Sequence, residues 1–194
     1  MAAGTGKASA RSMEALQPGT QAAALRLATG DLVVYASHGI GRVESKQPRH
    51  GKLSETLTLF FDSGLRVTLP LVRAQATLRP LSGEAELEEV RRTLRVETPP
   101  AVEPWSRRHR RLQDKLAEGS VSGLAEIVRD GIYRERRRVK GGPAPSANEL
   151  YQKARKLLAA EIAAARNIEP DAADAWISQQ VRDEHAETVN TARP

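Results

Sequence analysis

From residue 30 to residue 79, apolar and polar positions alternate with the period of two expected of half-buried strands. GDLVVYA opens on a Gly-Asp turn and runs into β-branched residues; Ser37-His38 reads as a short turn before GIGRVES. In ETLTLFF, Leu57 and Leu59 share one face, and Thr56 and Thr58 the other. Asp62-Ser63-Gly64 is a hairpin turn signal. LRVTLP then sets Val67 and Leu69 against Arg66 and Thr68, and Pro70 ends the strand because it has no N–H for the ladder. With a short last strand near 76–79, the pattern predicts four or five antiparallel strands in a small barrel.

After Ser82 the period lengthens to that of a helix. Acidic residues at 84, 86, 88 and 89 follow Ser82, which suits a helix start. This helix is expected to reach about Leu94, before Pro99-Pro100. A second is expected from Pro104-Trp105-Ser106 to Glu118, with Gly119 as its stop. A third starts at Ser120 with Val121, Leu124, Ile127, Val128 and Ile132 on one buried face, and breaks at Gly141-Gly142-Pro143. A fourth starts near Ser146, with Leu150, Ala154, Leu157, Leu158 and Ile162 on one stripe. A short fifth follows Pro170, capped by Asp171, with Trp176 and Val181 facing inward and Trp176 read as core. Residues 1–24, rich in Ala, Gly, Ser and Thr, read as a disordered tail, and 183–194 as a frayed one. The fold class is α+β.

Composition narrows the chemistry. Among 194 residues there is no cysteine, which removes disulfides, thiol nucleophiles and Cys-ligated metals and fits a cytoplasmic protein. Aromatics are only 4%, so the core must be aliphatic. No apolar run approaches a membrane span, and the N-terminus lacks the apolar middle of a secretory signal. The net charge of +6 is unevenly spread. Residues 1–90 carry 10 basic and 9 acidic side chains, 91–140 carry 14 and 7, and 141–194 carry 6 and 8. The positive excess sits in the middle block, as on a polyanion-binding face.

Enzyme signatures fail on inspection. Gly4-Thr5-Gly6-Lys7 is followed by Ala8 and lacks the glycine spacing of a phosphate loop. Gly39-Ile40-Gly41 reads as turn glycines, not a dinucleotide fingerprint. His38, His50, His109 and His185 are scattered, so no metal site and no cofactor are expected.

The informative segment is Pro104–Leu112, PWSRRHRRL. Trp105 reads as preceding the helix, off its apolar stripe. On a helix Arg107, Arg110 and Arg111 share one side, extended by Arg108 and Lys115, with His109, Leu112 and Leu116 opposite. Two readings stay open. Either Trp105 is an apolar wedge beside phosphate-binding arginines, as in proteins that kink a base step from the minor groove, or it folds back on the core and the arginines are merely solvated. A second cluster, Arg134, Arg136, Arg137, Arg138 and Lys140, lies at a helix end, where cations also suit the dipole.

GDLVVYASHGIGRVE resembles the opening of the N-terminal domain of the CarD/CdnL family, which shares its small barrel with the polymerase-interacting domain of transcription–repair coupling factors. WSRRHRRLQDKLAEGSVSGLAEIVRD resembles that family's Trp-Ser-Arg-Arg segment and the helix after it, and YQKARKLLAAEIA its later helix. The resemblance covers about 25–181. It implies a bacterial transcription regulator, not an enzyme, with a Tudor-like RNA polymerase-interacting domain at 25–81 and a helical DNA-binding domain at 82–182. The partners implied are the polymerase β subunit and promoter DNA at the upstream edge of the transcription bubble. Trp105 would be the minor-groove wedge that slows bubble collapse, with Arg107, Arg108, Arg110 and Arg111 on the DNA. A family arginine that contacts polymerase falls at Thr68; Arg66, two residues away on the same face, is the substitute. Another falls at Arg49, and a basic residue before the later helix falls near Asn148. A cytoplasmic, nucleoid-associated monomer follows. Two other classes remain: a general nucleic-acid-binding protein, and an adaptor whose arginines bind acidic protein surfaces.

Overall fold

The computed structural model describes residues 27–36, 38–48, 55–96, 103–136 and 145–191. Among these, five strands form one antiparallel sheet in the order β4-β3-β2-β1-β5. They are β1 (Leu32–Tyr35), β2 (Gly39–Pro48), β3 (Glu55–Phe61), β4 (Arg66–Pro70) and β5 (Leu78–Pro80). The expected faces are observed. Leu57, Leu59 and Leu69 are buried, whereas Arg66 and Thr68 are exposed. The sheet is open, not closed into a barrel: β4 and β5 are its two edges.

The chain travels from one edge to the other through α1 (Leu71–Thr77), a helix the strand pattern did not predict. Pro70 both ends β4 and stands at the helix's N-cap position, and Ala74 is the residue α1 buries. Seven residues are too few for a helical period to show against the alternation on either side.

Two glycines correct the reading of Gly39-Ile40-Gly41 as a turn pair. Gly39 does turn, at φ +84°. Gly41 lies within β2, where an added Cβ would come within 2.9 Å of the Phe61 ring. Its missing side chain lets Phe61 cover the sheet core. The β2–β3 register slips by one residue between Val43 and Ser45, so Glu44 bulges. The sheet core is Leu27, Val33, Val43, Leu57, Leu59, Phe61, Leu69, Ala74 and Leu78.

The remaining helices are α2 (Glu84–Arg95), α3 (Trp105–Glu118), α4 (Val121–Arg136), α5 (Pro145–Arg166) and α6 (Pro170–Thr191). Gly83, not Ser82, precedes α2; its N–H donates to Glu86 Oε2 at 2.9 Å. Ser120 does start α4: its Oγ accepts the Gly123 N–H at 3.2 Å. The five residues expected on the α4 stripe are all buried, as are Ala154, Leu158 and Ile162 of α5. α6 is longer than the short helix expected and continues through Thr191. Trp176, expected in the core, is only partly buried at its margin, with the Arg166 guanidinium 4.6 Å from its ring centroid; Ala173 and Ile177 fill the inner positions. No described helix is long and apolar enough to cross a membrane. Residues 1–24, Arg49, Arg137, Arg138 and Lys140, and the side chains of Arg136 and Asn148, lie outside what is described.

Candidate nucleic-acid interface

α3 begins at Trp105, directly after Pro104. Proline suits this place, since its fixed φ leads into a helix. No side chain caps α3 and no acid lies in its first turn. Arginines at 107 and 108 stand there instead, against the positive end of the helix dipole. That arrangement opposes helix stability.

Trp105 is therefore in the helix, not ahead of it. It sits four, seven and eleven residues before His109, Leu112 and Leu116, so it continues their stripe. Leu112 and Leu116 are buried in the helical core, but Trp105 lies beyond its end and is 45% exposed. One face of the indole stacks on His109, with centroids 4.9 Å apart and planes at 14°. His109 Nδ1 is buried without a hydrogen-bond partner among the described residues. The imidazole serves as a stacking platform, and the indole is neither swallowed by the core nor loose.

The arginines separate into two sets. Arg107 and Arg110 are exposed, and neither has an ion-pair partner among the described residues. Arg111 turns inward. It donates through Nε and Nη2 to Glu103 Oε1 (3.0 and 2.7 Å) and through Nη2 to Asp130 Oδ2 (3.4 Å). Burial works against its cation, but the hydrogen bonds and charge of Glu103 and Asp130 outweigh this and raise its pKa. Lys115 is likewise tied to Glu126. Arg108 is half-buried; burial first, then the Arg134 and Arg111 guanidiniums, lower its pKa, against the pull of Glu103 and Asp130. The sequence grouping of Arg107, Arg110 and Arg111 is thus split: two in solvent, one in an α3–α4 ion-pair network.

On the sheet, β4 is an edge strand among the described residues. Arg66 pairs with Glu44 (2.9 Å) and lies 5.5 Å from the Phe60 centroid, on the same exposed face as Thr68. The Thr68 and Thr58 hydroxyls are 3.1 Å apart across the strands. Arg66 and Thr68 are thus brought together; Arg49 lies outside the described residues.

Two family models match the chain: the CarD-like/TRCF RID domain over residues 27–82 and the CarD C-terminal domain over residues 89–178. The chain belongs to the CarD/CdnL family. It is accordingly a member of a family of transcription-related regulators that interact with RNA polymerase, and its matched domains are interaction domains. The first match ends at residue 82, between β5 and α2 where the sheet ends, and the second begins at residue 89, within α2.

One group of residues at that boundary escaped the sequence reading. Arg79 of β5, Ser82 and Glu161 of α5 meet between sheet and helices. The only signal was a lone acid in the apolar run LLAAEIAAA, since an unpaired glutamate is almost never fully buried.

Proposed function

We propose that this protein binds the RNA polymerase β subunit through the exposed β4 face and promoter DNA at the upstream edge of the bubble, where Trp105 wedges into the minor groove and steadies the open complex. Arg107, Arg108 and Arg110 contact the phosphate backbone, and Arg111 holds α3 in place from behind. The observation that carries the reading is Trp105: half-exposed, held flat on His109, at a helix end where Arg107 and Arg110 are exposed with no ion-pair partner among the described residues. A wedge needs an apolar plane that is accessible and pre-oriented, and a cation beside it for the neighbouring phosphate. Such contacts carry little base information, so bubble geometry, more than sequence, is what the protein reads.

Each phosphate contact contributes about −0.9 to the log–log salt slope. Three arginines alone give only modest affinity, so a second anchor is required. The β4 edge supplies it, either by strand addition or through Arg66 and Thr68, and linkage raises the effective concentration at the promoter.

The test is capture of polymerase by the immobilised chain, together with Trp105 fluorescence in a Trp176→Phe background. Wild type is expected to retain polymerase, Arg66→Glu to retain less, and fork-junction DNA to change the Trp105 emission. No polymerase capture with tight DNA binding would favour the general nucleic-acid reading. Emission unmoved by DNA would favour the adaptor.

A further inference from the structure

Glu161 is 1% exposed, yet it belongs to neither candidate binding face. Two side chains account for it. Arg79 donates from Nη1 to Oε1 at 2.5 Å and from Nη2 to Oε2 at 2.7 Å, a two-pronged pair. Ser82 Oγ donates to Oε1 at 2.6 Å. Arg79 also donates through Nη2 (2.8 Å) and Nε (3.3 Å) to the carbonyl of Gly119. Gly119 is the C-cap of α3, the helix that starts with Trp105. One guanidinium from the sheet edge therefore grips both a buried acid of α5 and the far end of the Trp105 helix.

The backbone beside this junction is closely seated. Gly119 has φ +66°, and a Cβ there would sit 2.4 Å from the Ala36 Cβ in the β1–β2 turn. A Cβ on Gly39 would sit 2.9 Å from Leu157 Cδ2 of α5. Sheet and helices meet by direct contact, and the only buried charge at that contact is satisfied by both sides among the described residues.

We propose that Glu161 is a positioning residue: through Arg79 it fixes α3 against the sheet, so that the β4 face and Trp105 are held at one separation and orientation. This rests on the proposed function, because a fixed span matters only if both ends are engaged at once. A rigid span makes the second contact intramolecular at a single geometry; a loose one spreads the same wedge over many.

The full chain is free of cysteine, so a label pair at Asp62→Cys and Gln113→Cys, both exposed, reports the distance between the sheet and α3 by pulsed electron spin resonance. Wild type is expected to give one narrow distribution. Glu161→Gln keeps the shape but not the charge and is expected to broaden it. The variant should still bind polymerase alone and fork-junction DNA alone, while its affinity for the assembled polymerase–promoter complex falls about tenfold. Should Glu161→Gln fail to fold, Arg79→Lys leaves the buried acid a cation but cannot fork to Gly119, and the same broadening is expected. A narrow distribution in the folded variant would overturn the proposal. So would a broad distribution with undiminished affinity for the assembled complex. If wild type itself leaves the open complex unaltered, the transcription reading falls, and the distance distribution still decides whether Glu161 is the clamp.

Discussion

Four arginines follow Trp105 within six residues, and their positions around the helix separate them by role. Arg107 and Arg111 differ by about 40° on a helical wheel, yet one is in solvent and the other is bonded to Glu103 and to Asp130, which is 3% exposed. Arg107→Ala and Arg110→Ala are expected to change stability by no more than about 0.5 kcal/mol and each to flatten the salt slope of DNA binding by about 0.9. Arg111→Ala is expected to cost about 1.5–3 kcal/mol in urea unfolding, because Glu103 loses its ion pair and the buried Asp130 keeps only Arg129 as a partner among the described residues. Equal stability losses at positions 107 and 111 would contradict this division. The basic segment was legible in the sequence because it is contiguous. Its division was not, since Asp130 lies 19 residues along the chain and reaches Arg111 only through packing.

At the level of elements, α3 ends at Gly119 and α5 is tied to α6, and each feature carries a stability test. Gly119→Ala puts a side chain at φ +66° and against Ala36. A loss of about 2–4 kcal/mol is expected from the left-handed strain and the overlap together, read as a lower urea midpoint. Between α5 and α6, Arg155 donates to Asp174 (2.5 and 2.7 Å), Ser178 (2.6 Å) and Tyr151 (2.8 Å). The hydrogen bonds from Arg155 hold the Asp174 pKa below the ordinary aspartate value. The folded form thus releases its proton more readily than the unfolded chain. The stabilisation is present above the unfolded pKa and is lost as pH falls through the lower, folded value. Asp174→Asn is expected to be less stable than wild type at neutral pH, with the difference closing in strong acid. Because Asp174 is 43% exposed, salt should shrink the difference as well. A gap independent of pH would contradict the pairing. The end of α3 was readable, since its stop at Glu118 and Gly119 follows from the chain itself. α1 was not readable, because its one buried residue, Ala74, leaves no stripe to recognise.

Over the whole molecule, the described residues form two buried clusters, one under the sheet and one among the helices. Their junction was the illegible part. Arg79 and its near neighbour Ser82 meet Gly119, 40 residues beyond Arg79, and Glu161, 82 residues beyond it, and only Glu161, isolated among apolar neighbours, departs from its local pattern. Trp105 was singled out by its arginines but placed outside the helix, since a stripe that outruns its core looks the same in sequence as one that is covered. The most direct test of the wedge is the lifetime of polymerase–promoter open complexes without the protein, with wild type, and with Trp105→Ala. Wild type should lengthen the lifetime, and Trp105→Ala, still captured by polymerase, should not. Equal lengthening by both proteins would contradict the wedge, and no lengthening by either would contradict the role in initiation.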